Sequence, residues 1–268
     1  MTENTATTTR PTVMSFSGHD PTGGAGITAD IEAISSQGCH ASTIITSLTV
    51  QDSVDVYSLF PIDADIIVQS ARAVLEDMPV AAFKLGLLGS IEVVEAVHSI
   101  LYDYQQIPVI FDPVLASGSG TDLSSSELIS AIRSLLLPMT QVLTPNVLEA
   151  AALVPEADTL PAMACGLMDL GCDHVLMTGT HSESEQVINR LYHNNREIDV
   201  YSWPRLPHTY HGSGCTLAAT LSALMAQGLD PLSASREAQQ FTWHSLDKAD
   251  RLGMGQLFPN RLFWVDEE

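Results

Sequence analysis

Between Thr12 and Gly179, short apolar runs alternate with stretches of helical periodicity, and this alternation constrains the fold more than any other feature. TVMSFSG (12–18), His40–Val50, Ala81–Gly86, Pro108–Asp112, QVLTP (141–145) and HVLMTG (174–179) have the β-branched, continuous apolar character of buried strands. Between them, Ile27–Ser36, Asp63–Glu76, Ser90–Tyr104, Ser124–Leu136, Asn146–Leu153 and Leu160–Leu170 have helical spacing. Strands that each lead into a helix predict a mainly parallel central sheet with helices on both faces, an α/β/α sandwich. Gln186–Tyr192 and Glu197–Trp203 predict a hairpin turning at His193-Asn194-Asn195, and helices over Gly214–Gln227 and Leu232–Leu252 close the chain. Residues 1–11 are polar and Thr-rich and are expected to form a flexible tail, with 12–268 expected as one domain.

In such sheets ligands bind beyond the carboxyl ends of the strands. Polar and glycine-rich residues gather there repeatedly: His19-Asp20, Gln51-Asp52, Asp112, Asn146, Thr178-Gly179 and the Gly212 loop. One active edge is therefore expected.

The formal net charge is −21, with Lys84 and Lys248 the only lysines. So acidic a surface repels nucleic acid and anionic membranes, and no apolar run approaches the roughly 20 residues that span a bilayer. An anionic ligand must be held by backbone dipoles, by arginine or through a metal. Cys39, Cys165, Cys172 and Cys215 lie far apart without metal spacing, and no signal peptide precedes them. Reduced thiols in the cytoplasm are expected.

HGSGC (211–215) places Gly212, Ser213 and Gly214 just ahead of Cys215 at the mouth of an apolar helix. Unpaired N–H groups at such an N-terminus make an anion site, and a thiol there is expected to have a lowered pKa. A small buried cysteine remains the alternative. Asn146 followed by Glu149 fits either a capping box or, with Asp112, a hard-oxygen Mg2+ site. Gln51 offers a donor and an acceptor to a flat heterocycle, or simply ends a strand. GAGITA (24–29) fits a dinucleotide-binding fingerprint, but His19-Asp20-Pro21-Thr22 separate it from its strand, which argues against a nicotinamide-dependent oxidoreductase.

Taken in order, SGHDPTGGAGITAD, LTVQD, FKLGLLG, FDPVLASGSG, LTPNVLEAAAL and HGSGCTLAA resemble the hydroxymethylpyrimidine/phosphomethylpyrimidine kinases of thiamin biosynthesis, members of the ribokinase-like superfamily. The resemblance spans about Val13 to about Lys248. It implies ATP- and Mg2+-dependent phosphorylation of 4-amino-5-hydroxymethyl-2-methylpyrimidine to the monophosphate and then the diphosphate, in a homodimer. It places the pyrimidine-binding glutamine on Gln51 and the substrate pocket on Asp20, Ala25, Leu87 and Val114. The anion hole and catalytic cysteine fall on Gly212, Ser213, Gly214 and Cys215, the metal ligands on Asp112 and Glu149, and the nucleotide contacts on Asn146, Thr178 and Gly179. Thr178 departs from many relatives, which carry lysine in that block; a hydroxyl donates to a phosphate without neutralising it. A pyridoxal kinase is the alternative enzyme, and a non-catalytic pyrimidine-binding protein the alternative from another class.

Overall fold

The computed structural model describes residues 10–116, 123–179 and 184–267. Most of the predicted tail therefore lies outside the described residues, as do the end of the FDPVLASGSG block and the residues following Gly179.

Nine strands form a single sheet in the order β3-β2-β1-β4-β5-β6-β7-β8-β9. The strands are β1 (Thr12–His19), β2 (His40–Gln51), β3 (Val56–Pro61), β4 (Val80–Leu85), β5 (Val109–Phe111), β6 (Val142–Leu143), β7 (His174–Met177), β8 (Gln186–His193) and β9 (Arg196–Pro204). Pairing is parallel from β2 through β7 and antiparallel at both ends. The helices are α1 (Gly26–Ser36), α2 (Ala64–Asp77), α3 (Ile91–Asp103), α4 (Ser126–Ala131), α5 (Val147–Leu153), α6 (Leu160–Asp169), α7 (Ser213–Ala226) and α8 (Pro231–Asp247).

The two-residue period of the central strands divides the core in two. Met14, Phe16, Phe83, Leu85, Phe111, Leu143 and Met177 pack with Val97 of α3 and Leu167 of α6. Val13, Ala82, Ile110, Val142 and Leu176 face the opposite way, against Ile34 of α1, Leu221 of α7 and Ala238 of α8. Each central strand is thus buried on both sides, which is why these runs carry almost no polar alternation. The expected α/β/α sandwich is the observed one.

Three local expectations give way. β3 is absent from the sequence reading because VYSLFP is an edge ribbon with little burial, and it carries no clear alternation. The segment expected as one helix over Ser124–Leu136 starts at Ser126, widens into a π-helical stretch at Ile132–Leu136 and tightens into a 3-10 turn at Leu137–Met139. The last helix stops at Asp247 rather than Leu252, because Asp250 leaves the helix to pair with Phe258 in an isolated antiparallel bridge. The hairpin turn is as expected: Asn194 and Asn195 adopt φ of 50° and 58°, as a tight primed turn requires.

Candidate active site

Two glycine-containing loops meet beyond the carboxyl ends of β1, β4 and β5. Gly212 precedes α7 with φ of 80°, and a Cβ there would lie 2.0 Å from the Gly24 carbonyl oxygen. Gly26 opens α1 with φ of 57°, and its Cβ would lie 2.2 Å from Gly18 O. Only glycine suits both the backbone conformation and the contact at these positions. Gly24 itself faces the His211 and Phe258 rings, so the fingerprint-like loop is packed against protein where a dinucleotide would need room.

Asp20 and Arg261 fasten these loops together. Asp20 Oδ1 accepts from Thr22 N and Oγ1, each at 2.8 Å, and Oδ2 accepts from Ala25 N at 2.8 Å. His211 Nε2 sits 2.8 Å from the same Oδ2. Burial pushes the Asp20 carboxyl up, but the His211 and Thr22 hydrogen bonds outweigh it and hold the group below its ordinary value. The Asp20 oxygens are engaged by the loops, because a buried carboxylate needs several donors to stay ionised. Arg261, 2% exposed, donates to Gly24 O, to Thr216 Oγ1 at 2.8 Å and to Glu32 Oε2 at 2.9 Å.

Beneath the loops lies a buried ion pair that sequence reasoning missed. Lys84 Nζ is 2.9 Å from each oxygen of Asp30 and donates to Ser17 Oγ at 3.3 Å, while Ser15 Oγ donates to Asp30 at 2.5 Å. Burial pulls the Lys84 ammonium down, but attraction to Asp30, then to Cys215 and Asp112, leaves it raised. The available signal was a lysine inside the apolar strand AAFKLG of a chain with only one other lysine. A cation buried there needs a partner.

Asp112 follows β5, with Val114 N donating back to its carbonyl at 2.9 Å. Its carboxylate faces the first turn of α7: a Cβ on Gly214 would stand 3.4 Å from Asp112 Oδ2. Burial raises the Asp112 carboxyl; Lys84 draws it down, Asp30 pushes it up and a hydrogen bond from Cys215 steadies it. Glu149, on α5, is raised by burial and then by Asp112. The capping reading of Glu149 is realised: Asn146 Oδ1 accepts from Leu148 N and Glu149 N at 2.9 and 3.0 Å, and Glu149 Oε2 accepts from Asn146 N at 2.8 Å. Capping engages one oxygen of Glu149, so the cap and a metal are compatible.

The Cys215 thiol departs from expectation. It was expected below the ordinary range and is instead pushed up to about 12, first by burial. Lys84 and the Gly26 N–H pull it down, while Asp112 and Asp30 push it up. Desolvation and two nearby carboxylates thus outweigh Lys84 and the Gly26 N–H, a balance invisible in a local motif.

The remaining candidates border this centre. A parallel bridge joins Asn146 to Thr178, carrying the β6–β7 ladder to the edge and setting these residues side by side. Thr178 Oγ1 donates to Pro145 O at 3.4 Å, and Gly179 N donates to Asn189 Oδ1 at 2.9 Å. At the other flank, Gln51 ends β2 with its amide donating to Thr49 Oγ1 at 2.5 Å, and Thr49 in turn donates to His19 O. Leu87 packs against Gly18, where an added Cβ would meet its Cδ2 at 3.1 Å. Ala25, Leu87 and Val114 are each partly exposed.

The residues present suit Mg2+. Asp112 and Glu149 are hard-oxygen donors whose carboxyls are raised by burial and by neighbouring negative charge, a strain that a cation relieves.

Comparison with known proteins agrees with this architecture. The sequence pattern of the phosphomethylpyrimidine kinase family matches residues 20–260. The hydroxymethylpyrimidine/phosphomethylpyrimidine kinase of Escherichia coli (strain K12) is 35% identical over 252 residues, covering 92% of this chain and 94% of its own. The enzyme of the same name from Aquifex aeolicus (strain VF5) is 30% identical over 247 residues, 90% of this chain and 96% of its own. Among solved structures, an ADP complex of Bacillus subtilis pyridoxal kinase superposes with a TM-score of 0.87 at 26% identity, covering 94% of this chain and 98% of that one. A phosphomethylpyrimidine kinase from Clostridium difficile 630 gives 0.75 at 28% identity, over 87% and 98%. A match over nearly the whole chain, on a fold whose glycine loops and carboxylates converge at one edge, means that this protein belongs to the phosphomethylpyrimidine kinase family.

Proposed function

We propose that Cys215, set among Asp112, Lys84 and the glycine loops, is the group through which this kinase activates its substrate hydroxyl. The protein is an ATP-dependent phosphotransferase that phosphorylates 4-amino-5-hydroxymethyl-2-methylpyrimidine and then its monophosphate. In its thiolate form, Cys215 Sγ takes the hydroxymethyl proton and becomes the thiol as the oxygen attacks the γ-phosphorus and ADP leaves. The Gly212–Cys215 amides, at the N-terminus of the 14-residue α7, face the charge on the transferred oxygens. Gln51 meets the pyrimidine edge, with Ala25, Leu87 and Val114 shaping the pocket. Asn146, Thr178 and Gly179 border the nucleotide.

Asp112 and Glu149 would hold Mg2+, which supplies positive charge opposite the phosphates when bound. With the Asp112 charge offset, one of the two carboxylates that push the Cys215 thiol up is removed, which leaves Lys84 and the Gly26 N–H drawing it down against burial and Asp30. The observation that carries the reading is this arrangement: a thiol in the first turn of α7, where helix amides point at a ligand and the buried Asp112 carboxylate faces that same turn.

The test compares wild-type kcat/KM for the hydroxymethylpyrimidine and for pyridoxal with saturating ATP and Mg2+. Preference for the pyrimidine is expected. Preference for pyridoxal would overturn the Gln51 assignment and favour the reading suggested by the Bacillus subtilis neighbour.

We further infer a homodimer in the cytoplasm. Leu48, Val50 and Phe60 lie on the β2–β3 ribbon, with Leu48 paired to Phe60, and each is about half exposed. A second copy would cover this apolar ribbon. Leu48→Glu should then shift the mass measured by light scattering toward the monomer. The four described cysteines are free thiols, and among the described residues no helix is long and apolar enough to cross a membrane.

A further inference from the structure

We propose that Asp173, His174 and His193 form a binding site for one divalent transition-metal ion of the zinc class, on the edge of the sheet opposite the active site. His174 is the first residue of β7, whose other end leads to Thr178 and Gly179. Its cross-strand partner in antiparallel β8 is His193, and Asp173 immediately precedes it. The two imidazoles thus come from different strands yet stand side by side, and one ligand atom from each of the three residues lies within 4.8 Å of the others.

The spacing suits a small tetrahedral ion. With bonds of about 2.0–2.1 Å, neighbouring donors in a tetrahedron stand about 3.3 Å apart. His174 Nδ1 is 3.1 Å from Asp173 Oδ2, and His193 Nδ1 is 3.3 Å from Asp173 Oδ1. Both Nδ1 atoms therefore converge on one carboxylate.

A second observation points to a ligand. His174 is only 9% exposed, yet its Nδ1 has no hydrogen-bond partner among the described residues. The Asp173 oxygen beside it is near enough for an ion pair without making a hydrogen bond. A metal bond would replace this imperfectly aimed contact with a directed one.

The His193 ring is more exposed and adjustable. It stacks on His174 with centroids 4.1 Å apart and planes 9° apart, its Nδ1 lies 3.0 Å from Asp173 O, and its Nε2 lies 2.8 Å from Asn194 Nδ2. Binding the ion alongside His174 would require this ring to turn about its χ2, which its exposure allows. Asn194 can then present its amide oxygen to the Nε2 proton, the outer-shell contact that metal-bound histidines use. Two imidazole nitrogens and a carboxylate select zinc, nickel, cobalt or copper over Mg2+. Such an ion would join the β6–β7 connection to the turn end of β8, bracing the antiparallel extension of the sheet.

The experiment titrates ZnCl2 into metal-stripped wild type, His193→Gln and Asp173→Asn, by calorimetry and by thermal unfolding, with MgCl2 present in excess. Wild type should bind a zinc ion that Mg2+ does not displace and that raises its melting temperature. Each variant should lose at least about tenfold in affinity for that ion, on the scale of disturbing a ligand shell, together with the gain in melting temperature. Co2+ should give a tetrahedral visible spectrum in wild type only. His193→Gln, at a partly exposed position remote from the active edge, should retain wild-type kinase activity and metal-free melting temperature, which separates loss of the site from misfolding. Equal zinc stoichiometry and affinity in all three proteins would overturn the proposal by placing the ion elsewhere, and so would a wild type that binds no zinc.

Discussion

At the carboxyl edge of the sheet, two polar corners lie side by side and are built on different terms. Around Asp20 and Arg261, and beneath them around Asp30 and Lys84, charges are matched by protein hydrogen bonds and opposite charges. Around Asp112, Glu149 and Cys215, burial raises all three ionisable groups, helped by Asp30 at Asp112, by Asp112 at Glu149, and by both carboxylates at Cys215. Matched buried charges hold a shape; groups pushed away from their ordinary ionisation mark where a ligand's charge completes the balance. Substitutions in the first corner should appear chiefly in stability, with a secondary effect on turnover where Lys84 and Asp30 act on Cys215, and those in the second in turnover.

The hardest test of that division is Cys215→Ser. Losing general-base help should lower kcat on the order of 10²–10⁴-fold, while the melting temperature and calorimetric affinity for the pyrimidine stay near wild type. A serine variant turning over at the wild-type rate would remove Cys215 from the chemistry.

Lys84→Met probes the opposite corner. It leaves Asp30 buried without its cation and should cost about 3–5 kcal/mol of stability in denaturant titrations. Adding Asp30→Asn should recover part of the loss. If Lys84→Met leaves stability untouched and abolishes only turnover, the division between the corners fails.

Gln51→Leu is a smaller perturbation at the substrate flank. Stranding a polar edge of the pyrimidine should weaken binding by about 1–3 kcal/mol, measured on the folded variant. Unchanged affinity would show that Gln51 only ends its strand.

The subtlest test concerns pH. Glu149 has a raised folded-state pKa, so the native state holds its proton more tightly than the unfolded chain does. That contribution is fully present below the unfolded carboxyl pKa of about 4.3 and is lost as pH rises through the raised folded value. In melts without divalent ions, Glu149→Gln should flatten this decline, since glutamine still accepts the capping hydrogen bond. A decline as steep as wild type's would assign the pH dependence to other groups.

Much of this was legible in the sequence because the signals were local or repeated. Continuous apolar runs exposed the buried strands, Asn194-Asn195 the hairpin, and Ser90 with Asn146 the starts of their helices. The ordered motif blocks pointed to the family, and strand ends pointed to the active edge. β3 escaped because an exposed edge ribbon needs no strict pattern, and α8 was overextended because its end is set by the Asp250–Phe258 pairing rather than by a local stop signal.

The sequence alone determined the layered fold, the family and the edge where chemistry gathers, since hydrophobic periodicity and motif order are properties of the chain itself. Tertiary structure alone decided that Lys84 meets Asp30, that Asp20 binds its own loops, that Glu149 caps a helix beside Asp112, and that the Cys215 thiol is raised rather than lowered. The physical reason is that charge and burial act through space: Asp30, Lys84, Asp112 and Cys215 are far apart along the chain but share one desolvated volume, where their sum sets each group's ionisation.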